Sequence, residues 1–405
     1  MALSATKMLL SKPTSIEEIS EDILAEILHR MPFTSCLPLL FSNKRFMHLI
    51  SQSEFLKSCR ACLLLSPREF KNQNLFILFQ FWPTSLFAKK ILLSIDSNNK
   101  THSLNGCNFL PLSWPQDRDQ VVVKATHHDL LLCCTHNNSH FNYFVCNPFT
   151  KQHVVLPPLR RSHSPECPRI GFMFDQSRSR FWVVHVPLML FKMIDSFQIN
   201  MFSSETGEWS ACNVPVPYSY RVSMFRNWYR NILVYNGKFI WWIDWIGFLE
   251  CDPSNGREFK WETKKMNIRY SFRYADENCD IYNGISNGRV KICQFLKKDS
   301  VCKVRELEDY ESGIWRSSDY DGTRLGIKDM NFLTLHPFCE YIMYFYSKDS
   351  IFVCDFKNGT LQRIYTIEGE RIVFSGQNAL SFVLPEWPTP LPSLSTAKVS
   401  ETRSD

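Results

Sequence analysis

Several groups of residues in this 405-residue chain have the types and spacing of chemistry. Gly284-Ile285-Ser286-Asn287-Gly288 fits the G-x-S-x-G pattern, in which a serine on a strained strand-to-helix turn becomes an acyl-transfer nucleophile. The next residues, Arg289-Val290-Lys291-Ile292-Cys293, alternate as a strand does, and Asn287-Gly288 is a strong hairpin signal, so the pattern reads as a β-turn. Cys59-Arg60-Ala61-Cys62 has zinc-ligand spacing but no second Cys or His pair at finger distance and no thioredoxin-like context. His127, His128, Cys133, Cys134, His136 and His140 form a denser set of potential ligands. On a strand, neighbours point to opposite faces, so the adjacent pairs do not converge on one ion.

Glu306, Glu308 and Asp309 could work as an acid/base set, but they sit in a charged run that reads as a solvated edge. No glycine-rich loop is placed to cradle a phosphate. Trp228, Tyr229, Trp241, Trp242 and Trp245 are large enough to be binding anchors, although Trp241 and Trp242 must face opposite ways on one strand, and core packing is the simpler use. These readings add up to a chain that is not an enzyme and takes no cofactor and no metal.

The elements available to position any site have two textures. Between Ile19 and Phe55 the apolar residues recur at helical spacing. Ile19, Ile23, Leu24, Ile27, Leu28 and Met31 make one broad stripe, Ser20 can cap the helix, and Glu21 and Asp22 sit in its first turn, where carboxylates are favoured. Pro32 stops this helix. Ser35 can cap a second one with Pro38 in its first turn, where Leu37, Leu40 and Phe41 recur, and Phe46, Leu49 and Ile50 follow the polar break Ser42-Asn43-Lys44. Helices this small cannot bury their apolar surface among themselves, so part of it must meet a partner or the next domain.

From about Leu63 to Leu384 short β-branched and aromatic runs alternate with Asn, Asp, Gly, Ser and Pro clusters, an all-β texture. One unit returns, a strand, a polar turn and a second strand, with phase marks at Asp96, Asn147, Ser203, Asp252, Leu296 and Asp355. Intervals of roughly fifty residues are blade-sized and point to a β-propeller, with a two-sheet sandwich as the competing architecture. The apolar runs LLLCC (130–134), FWVVHV (181–186), KFIWWID (238–244) and YIMYFY (341–346) read as its inner strands.

The N-terminal run resembles the plant F-box. Ser20 through Pro32 follows that pattern closely, and Ser42-Asn43-Lys44-Arg45-Phe46 matches its closing segment, with Ser20 in place of the usual proline and Phe46 in place of the usual tryptophan. The β region resembles the kelch-like and F-box-associated propellers of plants, on Asn147-Pro148 with Leu156-Pro157-Pro158 and on Glu205-Thr206-Gly207-Glu208-Trp209, although the double glycine of kelch repeats is missing. The implied architecture is a small all-α F-box of about three helices (15–60) followed by a six-bladed kelch-like propeller (61–385). Residues 1–14 and the Pro/Ser/Thr-rich 386–405 are expected to be disordered tails.

The resemblance implies that Ile19, Ile23, Leu24, Ile27, Leu28, Pro32, Leu37, Leu40 and Phe46 bind a Skp-type adaptor and, through it, a cullin ligase, while the propeller holds an unknown protein substrate. The alternatives are a scaffold that engages the adaptor without degrading anything, and a propeller enzyme or carbohydrate-binding module without a ligase role. A formal net charge of +6 with no dense Lys/Arg block argues against nucleic acid, and the absence of a long apolar run argues against a membrane. Fifteen scattered cysteines suggest reduced core thiols, hence nucleus or cytoplasm.

Overall fold

Ser20 starts the first helix as its sequence suggests, accepting a hydrogen bond from the Ile23 amide at 3.4 Å. In the computed structural model, helix α1 (Glu21–His29) carries Glu21 and Asp22 in its first turn and His29 in its last. Helix α2 (Lys44–Ser51) is capped by Asn43, whose side chain accepts from the Arg45 amide at 2.8 Å. The guanidinium of Arg45 donates to the Ile19 carbonyl and ties the two helices together. The structure describes residues 19–31, 35–36, 39, 43–52, 54–56, 75–83, 89–95, 101–103, 121–136, 140–160, 169–186, 196–215, 232–243, 247–254, 259–262, 279–366, 372–373, 379–383, 388–392 and 394. Of the roughly three helices expected, these residues contain two long enough to bound.

The strands are β1 (Leu75–Pro83), β2 (Lys89–Ile95), β3 (Thr101–Ser103), β4 (Val122–His127), β5 (Leu130–His136), β6 (His140–Cys146), β7 (His153–Val155), β8 (Leu159–Arg160), β9 (Arg169–Asp175), β10 (Arg180–Val186), β11 (Ser196–Ser203), β12 (Glu208–Pro215) and β13 (Ile232–Tyr235). They continue as β14 (Lys238–Ile243), β15 (Gly247–Cys251), β16 (Phe259–Glu262), β17 (Cys279–Ser286), β18 (Arg289–Leu296), β19 (Val301–Asp309), β20 (Ile314–Asp321), β21 (Asn331–Leu335), β22 (Ile342–Ser347), β23 (Ser350–Asp355), β24 (Thr360–Thr366), β25 (Ile372–Val373) and β26 (Ala379–Val383). All pairings among the described residues are antiparallel, and β9–β12, β13–β16, β17–β20 and β21–β24 are four-stranded meanders. In the sheet of β4–β8, both β7 and β8 pair with β6.

The turns follow from short side chains that accept from their own backbone. Asn147, Asp252, Asp309 and Asp355 each take the amide hydrogen of the residue two positions on, at 2.9–3.0 Å, and thereby shape the turn between the third and fourth strands of a sheet. Asp309 is the true mark of its blade; Leu296, the mark chosen from sequence, ends the second strand instead.

Adjacent sheets touch through their first strands, in the cyclic order β4, β9, β13, β17, β21, β26 and back to β4. Matched hydrogen bonds give the direction: Phe332 N–H to Asp280, Thr334 to Tyr282, and Ser286 to the His336 carbonyl. Partners recur about one repeat apart, so β17 and β21 run side by side the same way. At β9 the approach is closer still, since a Cβ on Gly171 would lie 2.7 Å from Ile232 Cγ2, which is why glycine stands there. Among the described residues, six apolar clusters fill the wedges between neighbouring sheets.

This is a β-propeller, and two expectations are corrected. Five blades, not six, are uninterrupted repeats; the remaining sheet is a composite in which β1–β3 from the N-terminal side are joined by β25 and β26 from the C-terminal side. The apolar runs read as inner strands are β5, β10, β14 and β22, each the second strand of its sheet, where blades cover both faces; of the first strands, β4 and β17 carry more polar residues. In addition, residues 388–390, part of the expected disordered tail, are buried, and Leu391 and Leu394 pack against the cluster between the second and third sheets.

Burial also gives the fold an acid sensitivity. Desolvation holds His127 near pKa 3, with His128 adding repulsion, and His185 and His336 near 4. Because these folded values lie below the unfolded 6.5, the unfolded chain binds more protons as pH falls, and stability is lost between pH 6.5 and about 4. For the buried His185 the loss is on the order of 2 kcal/mol at pH 5. Urea midpoints should therefore fall from pH 7 to 5, and His185→Phe should flatten the slope; equal slopes in the two proteins would contradict this account.

Candidate functional site

Helix α1 divides its apolar stripe between two environments. Leu24 and Leu28 are buried, whereas Ile23 and Ile27, one turn apart on the outer ridge, are 56% and 44% exposed. Ile19 is partly buried at the helix start. Phe46 of α2 is buried with Leu49 and Ile50. Pro32, Leu37 and Leu40 lie outside the described residues.

The inner face of the helix pair fills the wedge between the composite sheet and the second sheet. Leu24, Leu28, Phe46, Leu49 and Ile50 share one cluster with Leu78 of β1 and with Leu131, Cys133, Phe144, Cys146 and Phe149 of the neighbouring blade. Two polar contacts fix the end of α2 to that blade's turn: Ser51 Oγ donates to the Thr150 carbonyl at 2.8 Å, and the Gln152 amide donates to the Ser51 carbonyl. His29 stacks on Phe55 at 4.6 Å between ring centres. The helices are held rigidly from inside, leaving Ile23 and Ile27 on their outer side. A sequence stripe cannot show this division, because it depends on where the blade lies.

Several other candidate residues have structural roles. Ser286 ends β17 in a hairpin whose Asn287 and Gly288 take positive φ, and its hydroxyl donates to a neighbouring blade's carbonyl at 2.7 Å. Cys133 and Cys134 point into different wedges, as alternation requires, and His127 accepts a backbone hydrogen bond from Phe174 at 3.3 Å. Among the described residues no group of three His, Cys, Asp or Glu stands close enough to hold a metal. Trp241 is buried against Phe197. Cys59 and Cys62 lie outside the described residues, as do Trp228, Tyr229 and Trp245 and the side chains of His136, His140 and Trp242.

Glu306 is the correction with the largest consequence. It is buried, not solvated, and binds Lys291 Nζ at 2.8 Å, Arg289 at 2.9 Å and Arg316 at 3.1 Å. Arg316 also reaches Glu340 of the next blade at 3.2 Å. Period two would have found Glu306, which follows the buried Cys302 and Val304 on one face of β19.

The propeller has two unlike faces. The turns joining first to second and third to fourth strands, including 128–129, 147–152, 236–237, 287–288 and 356–359, share one face, and most are short. The strand ends that border 104–120, 161–168, 187–195, 216–231 and 263–278 lie on the other, and these longer intervals are outside the described residues.

The fold is thus a β-propeller with an apolar helix ridge mounted beside one blade. Residues 102–367 match the family described as F-box protein At3g26010-like, beta-propeller, and the chain belongs to that family. The match is to a β-propeller family whose description does not name the kelch repeat. Similar Arabidopsis thaliana proteins include F-box protein At3g49510, 26% identical over 41% of this chain and 39% of its own, and F-box protein At5g07610, 26% identical over 60% and 54%. F-box protein At3g28330 is 24% identical over 74% of this chain and 78% of its own. The chain thus spans about half or less of the first two relatives.

Proposed function

We propose that the protein is a non-catalytic substrate-recognition subunit of a Skp-cullin-F-box type ubiquitin ligase. The observation that carries the reading is the exposed Ile23–Ile27 ridge on a helix whose other side is locked into the propeller wedge. Two exposed isoleucines on a fixed helix form a preorganised apolar docking stripe for a Skp-type adaptor, and through it a cullin. The propeller holds a protein target on the face of longer intervals and raises the local concentration of its lysines at the ligase, with no bond chemistry of its own. Membership of an F-box propeller family supports this reading.

Nucleus or cytoplasm is the proposed location, supported by the free thiols Cys146, Cys251, Cys293, Cys302, Cys339 and Cys354. Burial pushes Cys251 and Cys354 up to about 12, so these are packing residues and not nucleophiles.

Co-purification of the full chain with a Skp-type adaptor tests the proposal. Burying one Ile side chain contributes about 1.5–3 kcal/mol, so Ile27→Asp should weaken adaptor binding roughly ten- to hundredfold while leaving the melting curve unchanged. Leu24 is unsuitable for this test because a charge there would disrupt the internal wedge. Unaltered affinity in a folded Ile27→Asp protein would sink the proposal.

A further inference from the structure

Residues 388–392 and 394, which follow β26, are held against the propeller. Thr389 is buried, its amide donates to Asp129 Oδ2 at 2.7 Å, and its carbonyl accepts from Asn147 Nδ2 at 2.9 Å. Asn147 Nδ2 also donates to Asp129 Oδ2 at 2.8 Å, while its Oδ1 accepts from the Phe149 and Thr150 amides at 2.9 and 3.3 Å. One buried turn therefore binds the C-terminal segment through Asn147, and helix α2 through Thr150 and Gln152.

The two attachments grip opposite faces of the same blade. The helices pack on the face bearing Cys133, in the wedge toward the composite sheet; Leu391 and Leu394 pack on the face bearing Cys134, in the wedge toward β9–β12. The segment begins at β26, which pairs with β1 in the composite sheet. It thus crosses from the sheet where the two chain ends meet, over one blade, to the next wedge.

We infer that residues 388–392 and 394 are part of a latch that couples closure of the propeller ring to seating of the F-box helices, with the Asp129–Asn147–Thr389 cluster as its catch. The catch is strong because its acceptor is a fully buried carboxylate that takes both N–H groups, and losing either leaves a buried acceptor short of a donor. The inference concerns how the helices are held and stands whether or not they bind an adaptor.

Native-state hydrogen exchange on the full chain tests it. In the wild-type protein the amides of Thr389 and of α2 should open together, with the same urea dependence. Thr389→Pro removes the backbone N–H that Thr389 gives to Asp129, whereas Thr389→Ser keeps both backbone groups and the hydroxyl. Expected is a roughly ten- to hundredfold loss of protection in 44–51 and in β4–β6 for the proline variant alone, with β17–β24 unchanged. Independent opening of Thr389 and α2 in the wild type, unchanged protection in the proline variant, or a uniform loss across all blades would each overturn the latch. The wild-type arm decides the matter even if the proline variant does not fold.

Discussion

Glu306→Gln is expected to cost about 3–5 kcal/mol, because it removes the charge that makes burial of Lys291 tolerable. Lys291, Glu306 and Arg316 stand directly opposite one another across β18, β19 and β20. The Lys291 side chain is only 2% exposed, and its other carboxylate, Glu340, is 4.0 Å away. Arg289 and Arg316, nearly half exposed, can turn to water when Glu306 is neutralised; Lys291 cannot. The glutamine preserves shape but aims N–H donors at cations. A drop in urea midpoint at unchanged slope would register the loss, and a change below 1 kcal/mol would show that water reaches the pair.

The companion change separates charge from packing. Replacing Lys291 by Met and Glu306 by Leu together removes both buried charges, and should restore most of the stability lost by Glu306→Gln alone. The pH dependence follows the same logic. Burial would raise the Glu306 pKa, but the hydrogen bond and charge of Lys291, with Arg316 and Arg289, outweigh it and hold the group below 4.5. Its contribution is present above the unfolded carboxylate range and is lost as pH falls through the lowered folded value, a loss absent from the Glu306→Gln protein.

What the sequence makes legible here is local. Asn147, Asp252 and Asp355 announce their turns because the amide bond each accepts lies two residues away in the same chain. Ser20 and Asn43 announce helix starts for the same reason. The propeller could be read because such turns recur at blade-sized intervals. Properties set by a neighbouring sheet were not legible. An apolar run such as Phe181–Val186 looks innermost, yet it is a second strand because two blades cover it. Leu391 and Leu394, in a Pro/Ser/Thr-rich end with little to bury, find a wedge supplied by far earlier strands that carry Leu130 through Phe202. The stripe of α1 shows an amphipathic helix but not which isoleucines the blade leaves uncovered.

Phe46→Ala should test that division from the inside. Phe46 is 5% exposed, in one cluster with Leu24 and Leu28 of α1 and with Phe144 and Phe149 of the blade. Truncating a buried phenylalanine costs about 3–5 kcal/mol, as lost transfer energy and a cavity that a rigid blade cannot collapse to fill. The helix pair should then detach, seen as increased proteolysis within 19–56 and a lowered melting temperature, with adaptor binding lost as a consequence of unfolding. Phe46→Trp keeps an aromatic ring but adds volume to a filled wedge, costing about 1–3 kcal/mol. Opposite signatures are therefore expected from residues on the same small module: Phe46→Ala lowers stability first and binding second, whereas Ile27→Asp lowers binding and leaves the melt alone. If Phe46→Ala abolished adaptor binding while helix protection and the melt stayed at wild-type values, Phe46 would be a contact residue, and the inner and outer faces assigned to the helix pair would have to be exchanged.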